Sequence, residues 1–278
     1  MAAATSIVAT ILGCGSSGGV PRIGGNWGAC DPEDPRNRRR RCSLLIEGRT
    51  GDSAPTRIIV DTGCDLREQL LDAGVGRVDA VLYTHEHADH THGIDDLRVL
   101  ALNSRKRVDV YFSHEAAQRI VPSFSYCFTA PPDSGYPPIL NQNIIEAGRP
   151  LTVSGPGGDI AVLPFRQDHG DIFSLGFRVG GFAYSCDLSG IPEDSAAAVS
   201  NLDLWVLDAL RPTPHPSHLS LPQALELVAQ YRPREAVLTN LHIDLDYAET
   251  ERLTPANVRP AYDGLRIDVT GGRVLSPR

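Results

Sequence analysis

Apolar residues recur along this chain in short runs bounded by Gly, Asp or Pro, with helical spacing in only a few places. Runs rich in Val, Ile, Leu and aromatics predict strands at Ser6–Leu12, Ser43–Ile46, Arg57–Val60, Ala80–Tyr83, Val108–Phe112, Ile160–Pro164, Ser174–Val179, Phe182–Ser185, Leu204–Leu207 and Ala236–Thr239. Spacings of three and four predict helices over Leu66–Ala73, Ile94–Leu102, Ser113–Pro122, Ala196–Val199 and Leu221–Tyr231. Strands, a helix, then the same scheme again imply two sheets packed face to face with helices outside, in one domain covering residues 1–278.

Two stretches break this rhythm. Thr129 to Gly158 carries many Pro, Gly and Asn residues and reads as a long surface excursion, functional or mobile. Arg36 to Arg41 places five arginines in six positions. The pattern suits a solvated strand edge guarded against pairing, with contacts to substrate phosphates or a partner subunit as alternatives. The segment Ile11-Leu12-Gly13-Cys14 looks superficially like a lipoprotein cleavage box, but no Lys or Arg precedes it. A strand entering a Gly-rich turn explains it better.

Composition adds limits. At 278 residues, 41% hydrophobic and 22% charged, the chain has the make-up of a soluble globular protein with a sizeable core. Six scattered Cys without a C-x-x-C pair point to reduced thiols and a cytoplasmic setting. No apolar run reaches the roughly 20 residues of a membrane span. A net charge of −8 argues against long-range steering to nucleic acid. A small anionic substrate stays compatible, because bound cations can dominate the local field.

The chemistry concentrates in Thr84-His85-Glu86-His87-Ala88-Asp89-His90, directly after a buried strand. In extended backbone His85 and His87 share a face. Asp89 and His90 then open a helix. Imidazole with carboxylate suits zinc, and also manganese or iron. Further candidates follow other strands: His169, Asp187 and His242. Each alone is weak, since an Asp after a strand is commonly a turn former. With the H-x-H-x-D-H run they make a coherent set.

With these residues the chain resembles the metallo-β-lactamase superfamily. The resemblance implies an α/β fold of the four-layer αββα type and a pair of divalent metal ions, zinc or manganese. It implies one position from His85, His87 and His169, a second from Asp89, His90 and His242, and Asp187 bridging them. Asp61-Thr62-Gly63 matches the family's Asp-x-Gly turn, with Asp61 holding a ligand His through its free N–H.

Three features resemble the phosphodiesterase branch, which includes the phosphoribosyl 1,2-cyclic phosphate phosphodiesterases and, more distantly, the tRNA 3′-processing endonucleases. They are the Gly/Ser loop Leu12 to Pro21, with Ser16 and Ser17 as substrate contacts; His218 before the helix Leu221–Tyr231; and Asp244-Leu245-Asp246-Tyr247. Two departures stand out. Relatives often carry three Cys near Gly25 to Cys30 and a His near position 243 as a structural zinc site; here Gly25, Trp27, Cys30 and Ile243 predict that site absent. Relatives also place the last ligand directly after Leu-Thr, where this chain has Asn240. Two residues along a strand returns to the same face, so His242 is expected to substitute.

The expectation is metal-assisted hydrolysis of a small cyclic or nucleotide-like phosphodiester, with Asp89 and His218 catalytic and His218 protonating the leaving group. His215, His92 and His114 read as bystanders. A homodimer is compatible with the resemblance. The rivals are a tRNA-processing endoribonuclease and a thioester or lactone hydrolase. The first needs a basic arm, and the excursion carries one Arg and no Lys.

Overall fold

The structure is a computed structural model describing residues 2–130 and 133–276. Eight strands form the first sheet: β1 (Ser6–Gly13), β2 (Ser43–Arg49), β3 (Thr56–Val60), β4 (Ala80–Leu82), β5 (Val108–Phe112), β6 (Leu140–Ile144), β14 (Arg266–Asp268) and β15 (Arg273–Val274). Seven form the second: β7 (Leu151–Val153), β8 (Ile160–His169), β9 (Ile172–Val179), β10 (Phe182–Ser185), β11 (Leu204–Asp208), β12 (Glu235–Thr239) and β13 (Val258–Pro260). In space the first sheet runs β15-β14-β1-β2-β3-β4-β5-β6 and the second β13-β12-β11-β10-β9-β8-β7.

Strand periodicity generates the layers. In β2, Leu44 and Ile46 face the second sheet while Leu45 faces outward; in β3, Ile58 and Val60 face in and Ile59 out. In β11, Leu204 and Val206 face in and Trp205 and Leu207 out. The inner faces interlock in one apolar core. The outer face of the first sheet is covered by α1 (Leu66–Asp72), α3 (Leu97–Ser104), α4 (His114–Ser123) and α5 (Ser125–Phe128). The outer face of the second carries α6 (Leu221–Tyr231) and a 3-10 turn, Glu193–Val199. Strands buried on both faces read as unbroken apolar runs, as the central ones do here. Two further helices, α2 (Ala88–Thr91) and α7 (Tyr247–Leu253), lie in loops between strands. The result is the αββα sandwich.

Three expectations need correcting. Thr129 to Gly158 is not a free excursion: β6 pairs in parallel with β5 and β7 antiparallel with β8, so the segment supplies an edge strand to each sheet. Its polar alternation, Leu140-Asn141-Gln142-Asn143-Ile144, is that of an edge strand with one wet face. The segment Ala196–Val199 is helical, but as the end of a 3-10 helix, Glu193–Val199, and not as an α-helix. The arginine cluster is largely tied to carboxylates rather than left as a bare solvated edge. Arg36 pairs with Asp34, Arg40 with Asp72 and Asp263, and Arg41 with Asp65, while Arg38 lies over Trp27. Arg39 is only 2% exposed and donates to the Leu245 carbonyl at 2.8 Å and to Oδ1 of Asn37 at 2.9 Å.

Among the described residues no helix is long and apolar enough to cross a membrane.

Candidate metal centre and cavity

The site lies where β3, β4, β8, β10, β11 and β12 end. After β3 the chain turns at Asp61, which adopts left-handed backbone (φ 63°) and is fully buried. The turn is locked to the motif opposite. Thr62 N–H donates to the His90 carbonyl at 2.7 Å, and a Cβ at Gly63 would lie 2.3 Å from the Asp89 carbonyl oxygen. Gly63 is therefore required by close approach, not by a φ preference.

After β4 the chain bends at Thr84 and reaches His87, whose extended backbone opens α2. Oδ1 of Asp61 accepts from Thr84 N–H and Oδ2 from Thr84 Oγ1, both at 2.8 Å. Thr84 Oγ1 in turn lies 2.9 Å from Nδ1 of His85, and Oδ2 of Asp61 lies 2.7 Å from Nδ1 of His90. One carboxylate thus orients two imidazoles, one directly and one through a hydroxyl. From the second sheet, His169 is the last residue of β8 rather than part of a following loop, and its Nδ1 faces the Ser217 carbonyl at 2.7 Å.

These elements bring Nε2 of His85 to 2.9 Å and Nε2 of His169 to 3.3 Å from Nδ1 of His87. Asp187, also in left-handed backbone (φ 56°), faces them. Its Oδ2 lies 3.9 Å from His85 Nε2, 3.8 Å from His169 Nε2 and 3.9 Å from His218 Nε2; its Oδ1 lies 3.4 Å from His90 Nε2. Asp89 stands 3.5 Å from the same His90 nitrogen. Ligand atoms of His85, His87, His169 and Asp187 all fall within 4.8 Å of one another. Three convergent imidazole nitrogens with a buried carboxylate are a donor set compatible with a divalent cation.

The electrostatics agree. Burial pushes the His85 imidazole well below its usual range, leaving it neutral and able to act as a ligand. Burial alone would raise Asp187, yet the positive charge of His90 and its hydrogen bond, with His85 and His218, hold the carboxyl well below the usual carboxylate range. Burial opposes charging His90, but Asp187 and Asp61 pull it well above an ordinary histidine. The pocket therefore wants positive charge.

His242 does not join the cluster. Its Nδ1 lies 2.8 Å from Oδ2 of Asp244 and its Nε2 is engaged by the Arg22 guanidinium. The period-two expectation fails because β12 ends at Thr239 and Asn240 takes left-handed backbone (φ 61°), turning the chain. Asn240 itself reaches the cluster: its Nδ2 donates to Oδ1 of Asp187 at 3.1 Å.

A cavity of about 220 Å³ opens over Asp89 and Asp187, lined also by Ser16, Ser17, Arg22 and Arg211. Ser16 is buried and Ser17 exposed, both at its rim. His218 and His215 line it too. His218 Nδ1 lies 2.9 Å from Oδ2 of Asp208, the last residue of β11. Burial disfavours its imidazolium, but the hydrogen bond and charge of Asp208 outweigh this and raise the pKa. His92 packs against Phe124 and His114 opens α4, away from the cluster. Asp208, Arg22, Arg211 and Asn240 were not expected. An Asp closing a strand buried at every position was a signal for the first; the arginines had none.

A model of the β-lactamase superfamily domain matches residues 56–243. An octanoyltransferase of Porphyromonas gingivalis is 34% identical over 269 residues, covering 95% of this chain and 52% of that protein. A ribonuclease Z of Bradyrhizobium diazoefficiens is 30% identical over 151 residues, 51% of this chain and 45% of that protein. The chain spans about half the length of these curated relatives. A crystal structure of a diphosphatase from the PhnP family superposes with a TM-score of 0.84 at 31% identity, covering 95% of this chain and 97% of that one.

Proposed function

We propose that this chain, which belongs to the metallo-β-lactamase superfamily of hydrolases, is a phosphodiesterase acting on a small cyclic phosphate or nucleotide-like phosphodiester. The carrying observation is His218, hydrogen-bonded to Asp208 and directed at Asp187 within a cavity that also holds Arg22 and Arg211. Such a pair supplies a proton donor beside the anion-facing side of the cluster.

His85, His87, His169 and Asp187 would hold one divalent ion, and Asp89, His90 and Asp187 the other. When bound, such ions lower the pKa of water and offset charge on phosphoryl oxygens. The chain's own residues do the rest. Asp61 and the Ser217 carbonyl fix the imidazole orientations. Arg22 and Arg211, with Ser16 and Ser17 at the rim, face an anionic group entering the cavity. His218, with Nδ1 turned to Asp208, carries its transferable proton on Nε2 and passes it to the departing alkoxide.

The PhnP-family diphosphatase supports phosphoryl chemistry, and the cavity's size supports a small substrate. The ribonuclease Z relative favours a second reading, cleavage of a tRNA precursor. Against it, Thr129 to Gly158 contributes edge strands instead of a basic arm.

A substrate panel decides. Metal-loaded protein is expected to hydrolyse bis-p-nitrophenyl phosphate and a ribose cyclic phosphate, and to leave a thioester, a lactone and a tRNA precursor intact. Turnover of the thioester or lactone alone would overturn the reading, and specific cleavage of the precursor would replace it with the endonuclease.

A further inference from the structure

The two sides of the donor cluster differ in chemistry. Around Oδ2 of Asp187 stand the nitrogens of His85 and His169, with His87 beside them. Around Oδ1 stands a single imidazole, His90, accompanied by the Asp89 carboxylate. The next side chain at Oδ1 is Asn240, which presents an N–H, not a lone pair, at 3.1 Å. The Cys186 thiol also donates to Oδ1, at 2.9 Å. The oxygen that a second ion needs is therefore already accepting two hydrogen bonds.

No nearby histidine makes good the difference. His242 is taken by Asp244 and Arg22. His218 is held at Nδ1 by Asp208, and its Nε2 approaches Oδ2, not Oδ1.

We infer that the chain holds its two metal ions unequally, and that Asn240 sets the difference. The position built from His85, His87, His169 and Asp187 binds a zinc-type ion firmly. The position built from Asp89, His90 and Asp187 binds loosely, because it offers a single imidazole and the Asp187 oxygen facing it already accepts from Asn240 and the Cys186 thiol. The inference rests on the metal-centred reading above and adds to it an exchangeable second ion.

The test counts ions and needs no substrate. The full chain is saturated with zinc, passed into metal-free buffer, and its metal content measured by mass spectrometry. Wild type should retain about one zinc per chain and Asn240→His about two, with second-site affinity raised roughly 10- to 100-fold. Wild type titrated with zinc against a chelator should show two binding steps of unequal affinity, a result that does not depend on the variant folding. Two zincs retained per wild-type chain after the metal-free buffer, two equal steps in the titration, or a folded Asn240→His protein no richer in zinc than wild type, overturns the inequality. No ion retained at all overturns the metal reading with it.

Discussion

Oδ2 of Asp61 lies 2.7 Å from Nδ1 of His90, and the same carboxylate reaches His85 through the Thr84 hydroxyl. Asp61 therefore fixes which nitrogen of each ring points into the cluster. Asn tolerates left-handed backbone as well as Asp does, so Asp61→Asn should keep the turn while losing the charge. Metal affinity should fall by about 10- to 100-fold in competition against a chelator, with the far-UV spectrum unchanged.

The proposed function separates proton transfer, at His218, from metal binding. In His218→Ala, turnover of a phosphodiester with an alkyl leaving group should drop by ~10²- to 10⁴-fold. A p-nitrophenyl ester, whose leaving group needs no proton, should lose far less. Metal content should match wild type; a parallel loss of metal would make His218 a ligand instead of an acid.

Arg39 is the one arginine of its cluster that is almost wholly enclosed. Its guanidinium ties Asn37 to the Leu245 carbonyl, and so joins the segment before β2 to the segment after β12. Arg39→Met fills similar volume but removes both charge-assisted hydrogen bonds, leaving Asn37 Oδ1 with the Tyr247 N–H alone. Unfolding in urea should show a loss of roughly 2–4 kcal/mol.

Asp246 caps α7 and accepts from Asn37 Nδ2 at 2.6 Å, Asp31 N–H at 3.1 Å and Glu249 N–H at 3.0 Å. Burial would raise its pKa, but these hydrogen bonds hold it below the usual carboxylate range. A depressed folded-state value means the stabilisation is complete above the unfolded pKa of about 4 and is lost as pH falls through the lower folded value. Chemical denaturation below about pH 4 should show wild type losing more stability than Asp246→Asn over the same interval.

Five cysteines, Cys14, Cys30, Cys42, Cys127 and Cys186, are buried, and Cys64 alone is exposed. Burial pushes the Cys127 thiol up to about 11, so it stays protonated at assay pH. A thiol reagent on folded protein at pH about 8 should label Cys64 quickly and the rest only after denaturation. Fast labelling abolished by Cys64→Ser completes the check.

What the sequence revealed followed physical locality. The central strands were legible because they are buried on both faces, and the H-x-H-x-D-H run because its ligands are contiguous. The edge strands β6 and β7 escaped because their polar positions look like loop, and β13 to β15 because two or three residues carry no period. His242 and Asn240 exchanged roles on one backbone angle at position 240, which an alternation rule cannot see. The arginines drew attention as a charge run, whereas their partners Asp65, Asp72 and Asp263 lie far along the chain.

The donors come from both sheets: His85, His87, Asp89 and His90 follow β4, while His169 ends β8 and Asp187 follows β10. Besides contacts among the donors themselves, the Leu175 N–H on the Thr84 carbonyl at 2.8 Å links the two layers at this point. A cation shared by these donors would work as a rivet through the sandwich, resisting the parting of its halves. Because such an ion binds the native form and not the opened one, saturation at a hundred times Kd is worth about 2.7 kcal/mol against melting. The proposed chemistry and the cohesion of the sandwich would thus draw on the same few side chains.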